Sequence, residues 1–78
     1  MVKAYSLIST DPGATSEIYE KVKKIEGVKS VEAVAGPYDI VVRIEVDSLE
    51  RLTGAVFGKI RGVDGVTSTT TLIVVGFE

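Results

Sequence analysis

The chain reads as an α+β domain in which a strand-helix-strand unit occurs twice, and three observations carry that reading. The first is a period-two run, Ile40, Val42, Ile44 and Val46 alternating with Val41, Arg43 and Glu45, the pattern of a strand that buries one face. The second is a pair of segments with apolar residues at helical spacing, Ile18-Val22-Ile25 and Leu49-Leu52-Val56-Ile60, each followed by a glycine. The third is an internal echo. Ile25-Glu26-Gly27-Val28-Lys29-Ser30-Val31 matches Ile60-Arg61-Gly62-Val63-Asp64-Gly65-Val66 at I-x-G-V-x-x-V, a shift of 35 positions (from 25 to 60). Each copy falls where a helix gives way to a strand. The resulting order, β-α-β-β-α-β, predicts a ferredoxin-like sandwich, a four-stranded antiparallel sheet with both helices on one face.

Each element has its own signal. Lys3 to Thr10 is the first strand, and Asp11-Pro12-Gly13 has turn chemistry, with proline presetting φ and glycine accepting φ > 0. A helix follows from Ala14 to Glu26, its outer side covered by Glu17, Glu20, Lys21, Lys23 and Lys24, and Gly27 stops it. Val28 to Ala35 is the second strand. The turn Gly36-Pro37-Tyr38-Asp39 hands over to the third strand, whose inward residues are all β-branched. Asp47 or Ser48 caps the second helix, with Glu50 as the acidic half of a capping box, and Gly62 ends it. Val66 to Val75 is the last strand. Gly54 and Gly58 stand four apart within the second helix, at a cost of about 1 kcal/mol each relative to alanine, which suits close approach of another backbone.

With 78 residues the chain is one domain, 1–78, with no room for a second core. Ordering a residue costs about 1.5 kcal/mol, and small cores recover little beyond that without disulfides, a metal or oligomerisation. There is no cysteine and no histidine, so oligomerisation is the expected support. The helix-free sheet face points the same way: Tyr5, Leu7, Val41 and Ile73 all lie on strands, some of them must point outward, and a dimer covers such a face most simply.

Composition narrows the function. Net charge is −2 and the nine Lys and Arg residues are scattered, whereas nucleic-acid binding needs a basic stripe to meet phosphates. No apolar run reaches the ~18 residues of a membrane span and no segment resembles a signal peptide, so no membrane association and a cytoplasmic location are expected. Asn, Gln and Cys are all absent, a mild sign of a thermophilic source. Missing residues remove catalytic classes known on this fold: soft-metal carriage needs a cysteine pair, acyl-phosphate hydrolysis an Arg and an Asn, and small dimeric enzymes commonly a His. RNA recognition needs aromatics where the third strand has Val41, Arg43 and Glu45. No enzyme activity and no cofactor are expected.

Two features remain. At Gly36–Asp39, glycine permits close approach and Pro37 stiffens the turn. The N–H groups of Tyr38 and Asp39 then face outward to an anion and the Asp39 carboxylate to an ammonium. That pairing suits the head of a free amino acid. Gly-Pro is also an ordinary hairpin turn, and spacing alone favours the plain turn. At Thr67-Ser68-Thr69-Thr70-Thr71, Thr69 and Thr71 share one strand face and present hydroxyls, although threonine is a good residue for any edge strand.

On these residues the chain resembles the effector-binding (RAM-type) domain of the leucine-responsive/asparagine (Lrp/AsnC) family of prokaryotic transcription regulators. The shared features are a G-x-[YF]-D turn, here Gly36-x-Tyr38-Asp39, and a G-V-x-x-T-x-T signature, here Gly65 to Thr71, together with the helix-end Ile25-x-Gly27-Val28. The resemblance implies homodimers joined through their sheets and rings of eight or ten subunits. It further implies amino-acid effectors at contacts between dimers, held by Gly36, Tyr38, Asp39, Thr69 and Thr71. Regulators of this family carry an N-terminal helix-turn-helix, whereas this chain begins at Met1 directly before the first strand. The expectation is therefore a stand-alone amino-acid sensor without direct DNA binding, acting on transcription by co-assembly with full-length Lrp/AsnC-type regulators, or as an accessory subunit of another enzyme or regulator. An ACT-like regulatory domain, a ligand-free assembly subunit and a small enzyme of the dimeric barrel type are the alternatives.

Overall fold

The computed structural model describes residues 1–76, Ala55 by its backbone alone. The elements are β1 (Val2–Thr10), α1 (Thr15–Lys23), β2 (Val28–Ala33), β3 (Ile40–Val46), a second helical segment α2 (49–61) and β4 (Val66–Ile73). All pairings are antiparallel, in the order β2-β3-β1-β4. This is the predicted ferredoxin-like α+β sandwich. Alternation along β3 places Ile40, Val42, Ile44 and Val46 inward, against Ala4 and Ile8 of β1, Ile18 and Val22 of α1, and Leu52, Val56 and Ile60 of α2.

Several boundaries move, each for a local reason. β1 begins one residue earlier, because Val2 pairs with Val46. α1 ends at Lys23 rather than Glu26, since the Lys24 and Ile25 N–H groups turn back to the carbonyls of Lys21 and Val22 and tighten the last turn. β2 stops at Ala33, where the Val34 N–H donates across the loop to the Asp39 carbonyl at 2.9 Å. β4 ends at Ile73, although the Val74 N–H still reaches the Lys3 carbonyl at 2.9 Å.

α2 departs further from expectation. It is wound as a π-helix over Arg51–Phe57 and closes with an α-helical turn over Gly58–Arg61. Its start is held by Ser48, whose Oγ accepts from the Arg51 N–H at 3.2 Å. No capping box forms from Asp47, whose carboxylate lies 3.6 Å from Arg51 Nε. The wider π turn breaks the 3.6-residue stripe. Leu49 is thus 54% exposed instead of buried, beside Met1, Ile73 and Val74 in an open groove. Among the described residues no other segment approaches Gly54 or Gly58, and a Cβ added there would have nothing within 4 Å beyond the helix's own backbone.

The echo is real but shifted by three residues from the alignment given by the sequence. In the structure Lys24-Ile25-Glu26-Gly27-Val28 corresponds to Gly62-Val63-Asp64-Gly65-Val66. Lys24 and Gly62 end their helices, and Gly27 and Gly65 turn at φ +99° and +96°. Each turn glycine lies beneath the other helix. A Cβ on Gly27 would sit 2.9 Å from Val46 Cγ1 and 3.2 Å from Val56 Cγ2, and one on Gly65 2.9 Å from Ala14 Cβ and 3.1 Å from Ile18 Cδ1. Gly65→Ala therefore combines left-handed strain of about 1–2 kcal/mol with overpacking of about 1–3 kcal/mol. Thermal unfolding is expected to fall by at least ~10 °C. Gly13→Ala, with φ +85° and open space around it, keeps only the strain. An equal loss in both variants would show that the contact with α1 contributes nothing.

Candidate functional site

The predicted turn lies at the end of the sheet where β1 finishes and β3 and β4 begin. Asp39 stands just ahead of β3, and its N–H donates to the Ile8 carbonyl at 2.9 Å. Its carboxylate Oδ2 accepts from the Thr10 N–H at 2.8 Å. Ile8 and Thr10 point their backbone groups to the same side of β1, so the carboxylate continues the β1–β3 ladder where the chain offers no further carbonyl. Thr10 is tied in turn to the start of α1, its hydroxyl 2.7 Å from that of Thr15. Two expectations about the turn change. The Asp39 N–H is committed to Ile8 and does not face outward to an anion. Gly36, at φ +151° with nothing within 4 Å of an added Cβ, is required by its backbone angle and not by close approach.

Register decides which hydroxyls meet this turn. Thr70 lies opposite Leu7, which lies opposite Val41, so Thr70 is on the helix-free face. The Tyr38 hydroxyl reaches it across β1, at 3.5 Å from Thr70 Oγ1, the outer limit of a hydrogen bond. Thr69 and Thr71 lie opposite Ile8 and Ser6 and belong to the helix side. Within one chain the structure therefore gathers Tyr38 and Asp39 at the sheet end and joins Tyr38 to Thr70. It leaves Thr69 and Thr71 across the sheet.

Thr69 has other neighbours. It lines a cleft of 310 Å³ with Arg61, Val66, Thr67 and Ser68, between the end of α2 and the start of β4. Reading the sequence missed Arg61, because a basic residue in the last turn of a helix complements its dipole without further purpose. The signal lay in its position, one tight turn ahead of the hydroxyl run. Next to Thr71, the Ser6 hydroxyl is buried and has no hydrogen-bond partner among the described residues, which costs about 1–3 kcal/mol.

The helix-free face carries Tyr5, Leu7 and Val41, as expected, together with Leu72. Ile73 lies opposite Ala4 and belongs to the helix side. One end of the open face is apolar around Leu7. The other is charged, with Lys3 and the Arg43–Glu45 pair at 3.4 Å. Among the described residues no group of three or more His, Cys, Asp or Glu gathers to hold a metal, and no helix is long and apolar enough to cross a membrane.

Known proteins share this fold. Residues 3–76 match the family described as the Lrp/AsnC ligand binding domain. An uncharacterised HTH-type transcriptional regulator of Pyrococcus furiosus is 37% identical over 73 residues, covering 90% of this chain and 49% of the regulator. The chain thus spans about half the length of the curated relatives it matches. A hypothetical protein of Pyrococcus horikoshii has a solved structure that superposes with a TM-score of 0.89 at 34% identity, over 99% of this chain and 93% of that one. The feast or famine regulatory protein of M. tuberculosis, solved as a complex with L-methionine, superposes at 0.82 with 26% identity, over 99% of this chain and 52% of that one. With the sandwich and nearly every residue from β1 to β4 accounted for, the chain belongs to the Lrp/AsnC ligand-binding domain family.

Proposed function

We propose that this domain senses a free amino acid and passes the signal on through its state of assembly. The observation that carries the reading is Asp39: among the described residues its carboxylate is engaged only through Oδ2, which leaves Oδ1 to meet an ammonium. The methionine complex of a relative with the same domain supports an amino acid as the ligand class. Gly36, Tyr38 and Asp39 form one half of the site, and Thr69 and Thr71, on the other side of the sheet in the same chain, belong to the half supplied by a neighbouring subunit. Dimers form through Tyr5, Leu7, Val41 and Leu72 on the open sheet face and join into rings of eight or ten subunits. Ligand at the dimer contacts favours one assembly over another, because only differential affinity shifts an equilibrium.

Its action on transcription runs through co-assembly with full-length Lrp/AsnC-type regulators, without direct DNA contact and without catalysis by this chain. Native mass spectrometry with a panel of amino acids, L-methionine first, tests the reading. Added ligand mass on an oligomer and a changed distribution of oligomers are expected. Unchanged spectra across all twenty amino acids would favour the ligand-free assembly subunit instead.

A further inference from the structure

The cleft at the end of α2 has a chemistry that the Gly36–Asp39 turn lacks. It is lined by Arg61, Val66, Thr67, Ser68 and Thr69, with no acidic residue among them. The other two arginines are ion-paired, Arg43 with Glu45, and Arg51 with Asp47 and Glu26. Arg61 is in no ion pair among the described residues. A planar guanidinium takes a carboxylate through two parallel hydrogen bonds, and Thr69, on the helix side of the sheet opposite Ile8, brings a hydroxyl to the same cleft. A single cation balances a single negative charge, whereas a phosphate dianion would be left half compensated. The volume of 310 Å³ falls at the lower end of the ~300–1,000 Å³ typical of small-ligand sites.

We propose that this cleft is a carboxylate-binding subsite anchored by Arg61. Asp39 leads β3, but its carboxylate is held at the Thr10 N–H of β1, and Thr10 pairs with Val66 of the cleft lining. In the assembly proposed above, Asp39 of one subunit and Arg61 of its neighbour meet the two ends of one ligand. That bridging rests on the amino-acid reading above; the carboxylate subsite does not.

The test is a chemical-shift titration of the full 78-residue chain with sodium acetate at constant ionic strength, with sodium chloride and inorganic phosphate as comparison arms. Saturable shifts at the Arg61 side chain and at the Thr67, Ser68 and Thr69 amides are expected with acetate alone. Arg61→Lys keeps the charge that complements the helix end but loses the fork. It should weaken acetate at least ~10-fold without changing the melting temperature. Arg51→Lys, outside the cleft lining, should leave the acetate titration unchanged. Equal shifts with chloride, tighter binding of phosphate, or full acetate affinity in Arg61→Lys would each overturn the proposal. Acetate binding in a chain that takes no amino acid would leave the subsite standing and remove the amino-acid reading.

Discussion

Asp39→Asn is expected to abolish the proposed amino-acid binding and to leave the melting temperature within a few degrees, whereas Asp39→Ala is expected to lose both binding and stability. The two variants separate the hydrogen-bonding role that the structure shows for this side chain from the ligand-binding role proposed for it. Oδ2 accepts from the Thr10 N–H at 2.8 Å, and an asparagine oxygen occupies the same place and accepts the same bond. Alanine leaves that N–H without its partner at the end of the β1–β3 ladder. A hydrogen bond to a charged group contributes about 1.5–3 kcal/mol. Asp39 is only half-buried, so about 1–2 kcal/mol is the appropriate share, or roughly 5–15 °C in a domain of this size. The expected loss of binding in asparagine is electrostatic, since a neutral amide offers an ammonium no counter-charge. Calorimetry with the amino acid selected by the native-spectrometry panel, alongside thermal unfolding, checks both halves. If Asp39→Asn binds with wild-type affinity, Asp39 is a ladder cap and nothing more.

Leu7→Asp is expected to convert the proposed dimer to a folded monomer. Leu7 lies on a central strand of the open face, between Val41 and Thr70 and two residues from Tyr5. Its own core contribution is small, because Ile8, Ser6 and Ala4 are the β1 residues that face the helices. In an isologous interface the substitution appears twice. Each copy buries a carboxylate without a partner, at about 3–5 kcal/mol, so dimer affinity should fall by at least ~1,000-fold. Light scattering reports the mass and circular dichroism the retained fold. A variant that stays dimeric would place the dimer contact elsewhere, on the β2 or β4 edge.

The legible part of the fold was the part set by short-range periodicity. The run from Ile40 to Val46 could bury only one face, and alternation by itself assigned its inward residues. The glycines of the two helix exits were visible for the same reason, as breaks in a pattern. Their alignment was not. Gly62 looked like the partner of Gly27, and only the positive φ and the contacts with Ala14 and Ile18 identified Gly65 as the residue in that role. Leu49 was assigned to a buried stripe at 3.6 residues per turn, and the π winding of Arg51–Phe57 moved it to the surface.

The candidate site divides along the same line. From sequence alone, Gly36, Tyr38 and Asp39 formed a turn and Thr69 and Thr71 shared a strand face, since both statements need only neighbouring residues. Which hydroxyl meets the turn is a question of register between strands far apart in the chain, and register is set by the whole sheet. The pairing of Leu7 with Thr70 and of Ile8 with Thr69 sends Thr70 toward Tyr38 and Thr69 toward Arg61. A shift of one residue would exchange them.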